Sequence, residues 1–242
     1  MTVKTKVWDW PTRAFHWSLV ISVTAAIITG EIGGSLADWH GRAGLMVLGL
    51  LVFRLVWGFV GSETARFSHF FPTPTRILAY LRGAWHGVGH NPLGALSVFA
   101  LLGILAAQVT TGLYANDDIA FEGPLFHLVD KSQSDRLTGL HGRIFWGLVT
   151  LIGLHLLSIV FYSRVKRHNL VLPMITGNKQ VPKQQAGQFT GFRFAGFVAA
   201  AFLSLATVWT VANGLPERFV AAIDANAAGP DEVEIEPEPD LF

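Results

Sequence analysis

Residues 137–162, LTGLHGRIFWGLVTLIGLHLLSIVFY, restrict the chain more than any other stretch. The run is apolar and long enough to cross a bilayer, which takes about 20 residues at 1.5 Å each. Inside it lie His141 and His155, fourteen positions apart, and Arg143 is its only other basic or acidic residue. Fourteen residues at 100° each return to within ~40° of the starting direction and advance ~21 Å. Both imidazoles therefore leave one helix face, one near each membrane surface. Ionisable groups inside a span are costly and point to function.

Four further spans are predicted at 14–32, 41–60, 93–114 and 192–212. Of the 242 residues, 51% are hydrophobic and only 14% charged, against roughly a quarter charged in a soluble chain. The expected fold is an all-α integral membrane bundle: four helices followed by a fifth, C-terminal one. The chain divides into residues 1–167, a linker with the fifth helix at 168–212, and an acidic tail at 213–242. A short amphipathic helix is expected in loop 61–92, with Ile77, Leu78, Leu81 and Trp85 on one face and Arg76 and Arg82 on another. The first span reads alternatively as a signal peptide, cleaved after Ser35-Leu36-Ala37; its histidine and aromatic-rich start favour retention.

Charge sets the topology. Segments 1–13, 61–92 and 163–191 carry 11 Lys and Arg, while the opposite side carries 5. The N-terminus is then cytoplasmic and the tail outside. Fifteen of the 17 acidic residues fall on the outer side, all but Asp9 and Glu63.

With this topology the span histidines sort by depth. His16 and His155 lie near the inner surface, and His40 and His141 near the outer. With no cysteine in the chain, thiolate metal sites and covalently attached haem are excluded. Two b haems, each between two histidines, answer the spacing, with irons ~20 Å apart. A lone span histidine would more often be a satisfied polar residue; four matched in depth reverse that weighing. His69, His86, His90, His127 and His168 fall in loops or at interfaces and are assigned no iron.

The pattern His-Gly-Arg opens two spans, at 40–42 and 141–143. Arg42, Arg143 and Arg54, the last fourteen residues after His40, are candidates to pair haem propionates. Arg13 reads as flanking charge. For the buried Arg54, a propionate or Glu63 is the expected counter-charge. Gly30, Gly44, Gly103 and Gly147 either admit a haem plane or let helices pack closely.

WDWPTRAFHW at 8–17, HGRAG, FRLVWG, HNPLGALS at 90–97, and LHGRIFW followed by His155 together resemble the bacterial cytochrome b561 family. The superfamily includes the di-haem cytochrome b subunits of membrane-bound nickel–iron hydrogenases. The resemblance spans residues 7–167 and implies a four-helix di-haem core passing electrons between quinone and a redox partner. Membrane lipid and quinone are expected partners, and nucleic acid is not. The redox partner is expected to be a basic periplasmic c-type cytochrome, or alternatively a hydrogenase or dehydrogenase for which this chain is the membrane anchor. Glu63, His86 and His90 are the inner-side candidates for quinone proton chemistry. Whether the chain is itself an enzyme stays open. A non-haem metal transporter is the distant alternative; such paths use intramembrane carboxylates, which the span interiors lack.

Overall fold

The computed structural model describes residues 1–85, 87, 89–183 and 192–214. The acidic tail beyond Gly214 and His86 lie outside the described residues. The chain forms helices α1 (Trp10–Ile32), α2 (Ala37–Val60), α3 (Phe67–Phe70), α4 (Pro74–Leu81), α5 (Pro92–Leu113), α6 (Lys131–Arg164), α7 (Val171–Thr176) and α8 (Phe194–Ala212). Two short strands, β1 (Thr2–Lys6) and β2 (Asn178–Pro182), pair antiparallel with Thr2 opposite Pro182 and Lys6 opposite Asn178. Helices α1, α2, α5, α6 and α8 are long and apolar enough to cross a membrane.

The helix starts are written in the sequence. Asp9 accepts from Thr12 N at 2.7 Å, and Asn91 from Gly94 N at 2.7 Å, each followed by a proline in the first turn. Asp130 caps α6 through Gln133 N at 2.8 Å. That cap starts α6 six residues before Leu137, so its 34 residues reach about 51 Å, well beyond a ~30 Å hydrocarbon core. Gly33, at φ 63°, ends α1 in a conformation that suits glycine, and the chain turns back into α2. Helix α4 is shorter than the apolar pattern implies: it stops at Leu81, and Trp85 lies beyond it, its ring 5.9 Å from Tyr80. The Tyr80 and Tyr162 hydroxyls hydrogen-bond, fastening α4 to α6.

Packing gives two hairpins, α1–α2 and α5–α6, joined chiefly through α2 and α5. At mid-depth they enclose Val47, Leu51, Leu105 and Leu148, with Leu19 and Val23 of α1 against them. Val47 lies seven residues after His40, and Leu148 is midway between His141 and His155. The apolar layer therefore separates the two histidine levels. Helix α8 docks on α2, where Ser204 Oγ donates to Gly49 O at 2.7 Å and a Cβ on Gly49 would come within 2.9 Å of Val208. Small residues permit such close approach between spans. Outward side chains such as Trp146, Leu157 and Phe202 are about two-thirds exposed in the protein, as suits a surface solvated by lipid.

The linker after α6 is tied to the N-terminus. Gly177 O accepts from Val7 N (2.8 Å) and Trp8 N (3.1 Å). Arg13 donates to Ile175 O, and Trp17 Nε1 to Met174 O at 3.3 Å. Arg13 is thus a fastening residue, not merely flanking charge.

Candidate functional site

Two histidine levels lie along the bundle. At the first, His40 of α2 faces His141 of α6, with ring centres 6.0 Å apart and planes at 85°. His40 Nδ1 donates to Ala26 O of α1 at 2.8 Å, and His141 Nδ1 to Gln108 O of α5 at 2.9 Å. Carbonyls only accept, so these bonds place the proton on Nδ1 and make Nε2 the acceptor nitrogen of each ring. The side-chain amide of Gln108 donates to His141 Nε2 at 3.0 Å, which agrees with that tautomer. Thr111 Oγ1 lies 3.2 Å from His141 Nδ1. Both rings are seated on glycine: Gly30 lies under His40, and Gly112 under His141.

The sequence candidates around this level separate. Arg42 stacks on Trp39 at 5.0 Å, and Arg143 Nε donates to Gly139 O at 3.2 Å. Among the candidate glycines, Gly30 accommodates His40 and a Cβ at Gly147 would come within 3.0 Å of Ile104, while one at Gly44 or Gly103 would meet nothing within 4 Å. The loop after α5 lays Phe121 against Gly41, beside His40.

At the second level His16 of α1 lies within electrostatic range of His155 of α6. His16 Nδ1 is buried without a hydrogen-bond partner, and His155 Nδ1 is 3.5 Å from Ser97 Oγ. The same end of the bundle holds two buried ionisable residues, Arg54 and Asp9. Arg54 is 3% exposed, with its guanidinium 4.5 Å above the Phe67 ring; Nη1 has no hydrogen-bond partner. Asp9, also buried, acts on Arg54 through space and accepts from Trp57 Nε1 (3.1 Å) and Ser62 Oγ. Glu63, one expected counter-charge for Arg54, is 3.8 Å from His69.

His90 is wedged between Trp8 and Phe70, each ring centre 4.5 Å away. Burial, reinforced by the charges of Arg54, His16 and His69, lowers its pKa to about 3, so it is neutral at ordinary pH. It borders a cavity of about 300 Å³ whose other walls include His69, Phe71, Arg76 and Trp85.

Sequence reasoning missed Asp9, Ser97 and Gly112. A usable signal existed for the last: of the Thr-Gly doublets in the spans, at 29–30, 111–112 and 138–139, the first two lie opposite the histidines of a single pair.

The first level can be tested for fit to a metal between its rings. Two imidazoles bonded to one metal at about 2 Å each would have ring centres near the 6.0 Å observed, with the Gln108 amide moved off His141 Nε2. Both Nδ1–H groups are held by carbonyls, the usual outer-shell arrangement of metal-bound histidine. The donor set is imidazole alone, which suits haem iron.

Five membrane-length helices bring histidines together across two hairpins, the architecture of a multi-pass membrane protein. The model of the prokaryotic cytochrome b561 family matches residues 7–177, and the chain belongs to that family. It is an electron-transfer cytochrome of a bacterial membrane. Among curated relatives, probable Ni/Fe-hydrogenase B-type cytochrome subunits of Azotobacter vinelandii and Azotobacter chroococcum are 28% and 26% identical. Each match covers 71% of this chain and 86% of the relative. The probable Ni/Fe-hydrogenase 1 B-type cytochrome subunit of Escherichia coli K12 is 23% identical over 51% of this chain and 66% of its own. No solved structure matches the chain.

Proposed function

We propose that this chain carries electrons between the two membrane faces through two haem b groups, one held by His40 and His141 and the other by His16 and His155. The observation that carries the reading is the His40–His141 pair, 6.0 Å apart with both Nδ1–H groups on backbone carbonyls. Haem b supplies a reversible one-electron iron couple. The histidines hold the iron from both sides, which disfavours oxygen chemistry there. Arg42 and Arg143 at one level and Arg54 at the other offer positive charge to haem propionates; the buried Arg54 Nη1 lacks a hydrogen-bond partner. The apolar layer of Val47, Leu51, Leu105 and Leu148 between the levels offers a passing cation no ligand, which argues against the transporter reading.

The Lys/Arg bias orients the chain with its N-terminus in the cytoplasm and its tail in the periplasm. The inner side then carries the cavity bordered by His90, and quinone is the exchanging substrate there. Its aromatic walls and the imidazoles of His69 and His90 suit a flat ring with two carbonyl oxygens. Of the other proton-group candidates, Glu63 sits beside His69, and His86 lies outside the described residues.

The outer partner is a redox protein, and two are supported by separate observations. The relatives' names favour a hydrogenase for which this chain is the membrane cytochrome subunit. The eight acids after residue 212 favour a basic c-type cytochrome.

A pyridine haemochrome assay on the purified chain tests the core. Two haems per chain are expected; bound zinc or iron without haem would end the reading. For the outer partner, stopped-flow electron exchange with a basic cytochrome c compares the full chain with one ending at Gly214. If the tail recruits that partner, truncation slows exchange by about 10-fold at low salt, and the difference disappears near 1 M salt. Equal rates at all salt concentrations would leave the hydrogenase reading alone.

A further inference from the structure

The four histidines are held in two different ways, and the difference lies in their neighbours' backbone. On α1 and α5 the step Thr-Gly recurs, as Thr29-Gly30 and Thr111-Gly112. In a helix, the side chain of a residue covers the turn N-terminal to it. Glycine leaves that turn bare, and the carbonyl four residues back becomes reachable from outside. Those carbonyls are Ala26 O and Gln108 O, the acceptors of His40 Nδ1 and His141 Nδ1. A Cβ on Gly30 would lie 2.8 Å from His40 Nδ1, and one on Gly112 would lie 2.9 Å from His141 Cε1. Neither ring could stay in place. Each threonine turns its hydroxyl onto its own helix, Thr29 to Ala25 O (2.7 Å) and Thr111 to Ala107 O (2.9 Å). Two unrelated helices thus present the same offset, glycine at i and an acceptor at i−4, to the two members of one pair.

At the other level neither ring is seated on such a step among the described residues. His16 Nδ1 has no partner, and the 3.5 Å between His155 Nδ1 and Ser97 Oγ is at the outer limit of a hydrogen bond. An imidazole whose N–H is held by a carbonyl is a stronger donor through its other nitrogen. A stronger donor favours the oxidised, more positive iron and lowers its potential. The buried charges of that end, Arg54 and Asp9, are opposite in sign and act on one another.

We infer that Thr29-Gly30 and Thr111-Gly112 are positioning elements that hold His40 and His141 as Nδ1–H tautomers and make the haem between them the lower-potential of the two. The inference rests on the two-haem reading and goes beyond it by assigning the order of potentials to named backbone groups. An electron entering at the His40 level then runs downhill to the His16 level.

Spectroelectrochemical titration, with haem counted on every sample, tests it. The unsubstituted chain is expected to show two midpoints, and His40→Ala and His141→Ala should each abolish the lower one. Gly30→Ala and Gly112→Ala should each raise the lower midpoint toward the upper, which stays in place. Their haem affinity at that level should fall about 10–100-fold, as losses of an outer-shell partner do. The low-spin electron paramagnetic signal of the lower-potential haem should shift with it. Glycine variants that keep two haems and an unmoved lower midpoint would overturn the inference. Should they fail to assemble, His40→Ala decides, since survival of the lower midpoint there also overturns it. A chain that binds no haem would instead overturn the ligation reading beneath.

Discussion

The His40–His141 level and the His16–His155 level, each proposed to hold a haem, are built from different materials. The first leans on main-chain carbonyls, which carry no charge and cannot titrate. The second level's end of the bundle is built from side chains: Asp9 and Arg54, both buried, and the half-buried His90, with Trp57 and Ser62 bonded to Asp9. A backbone brace is stiff and indifferent to pH, whereas a buried ionic group is held only while every member is present. The two ends of one bundle should therefore fail differently.

Removing a ligand gives the largest effect and tests whether the levels are independent. His16→Ala or His155→Ala should cost one haem of two and leave the His40–His141 absorbance and midpoint unchanged. If His16→Ala and His40→Ala lose the same haem, the levels are wrongly paired. Next in size is Asp9→Ala, which strips three hydrogen bonds and leaves Arg54 without its nearby carboxylate. About 3 kcal/mol of stability should go, against about 1 kcal/mol for Asp130→Ala, which loses only an exposed cap bond. Thermal or denaturant unfolding in detergent measures both, and equal losses would deny the second level its ionic dependence.

The smallest effect is a pH dependence confined to the same end. His90 is held at about 3 in the folded chain against an ordinary 6.5, so the unfolded chain binds the extra proton between those values. Stability is therefore fully present above pH 6.5 and lost as pH falls through that window. At pH 5 the loss is on the order of 2 kcal/mol. His90→Gln, which cannot take the proton, should flatten the stability profile between pH 7 and 5. An unchanged profile would assign the acid sensitivity elsewhere.

Much of this architecture was legible from residues alone, for physical reasons that also mark where legibility stops. Five spans follow from apolar length, since lipid demands it. The fourteen-residue gap between His141 and His155 sits on one helix, where angle and rise follow from local geometry. Pairing β1 with β2 joins residues some 175 apart, and nothing local in TVKTK announces it. The true start of α6 lies in polar turns that hydropathy ignores but the Asp130 cap sets. Gly30 stood out as a glycine in a span, yet its purpose depends on a carbonyl at position 26 and a ring from another helix. Arg54 announced that a buried cation needs company; that Asp9 and the Phe67 ring would keep it required the fold.

The aliphatic layer of Val47, Leu51, Leu105 and Leu148 has an electrical meaning as well as a packing one. It is a dielectric slab between two terminals, thin enough for tunnelling and closed to ions. An electron moved from one terminal to the other covers ~21 Å of a ~30 Å insulator, roughly two-thirds of the voltage drop. A full crossing is worth ~2.3 kcal/mol per 100 mV, so this step exchanges about 1.6 kcal/mol with the field for each 100 mV of membrane voltage. With a negative interior the field opposes inward electron movement. Electron flux through the chain should slow as the membrane charges, with no moving part and no gate.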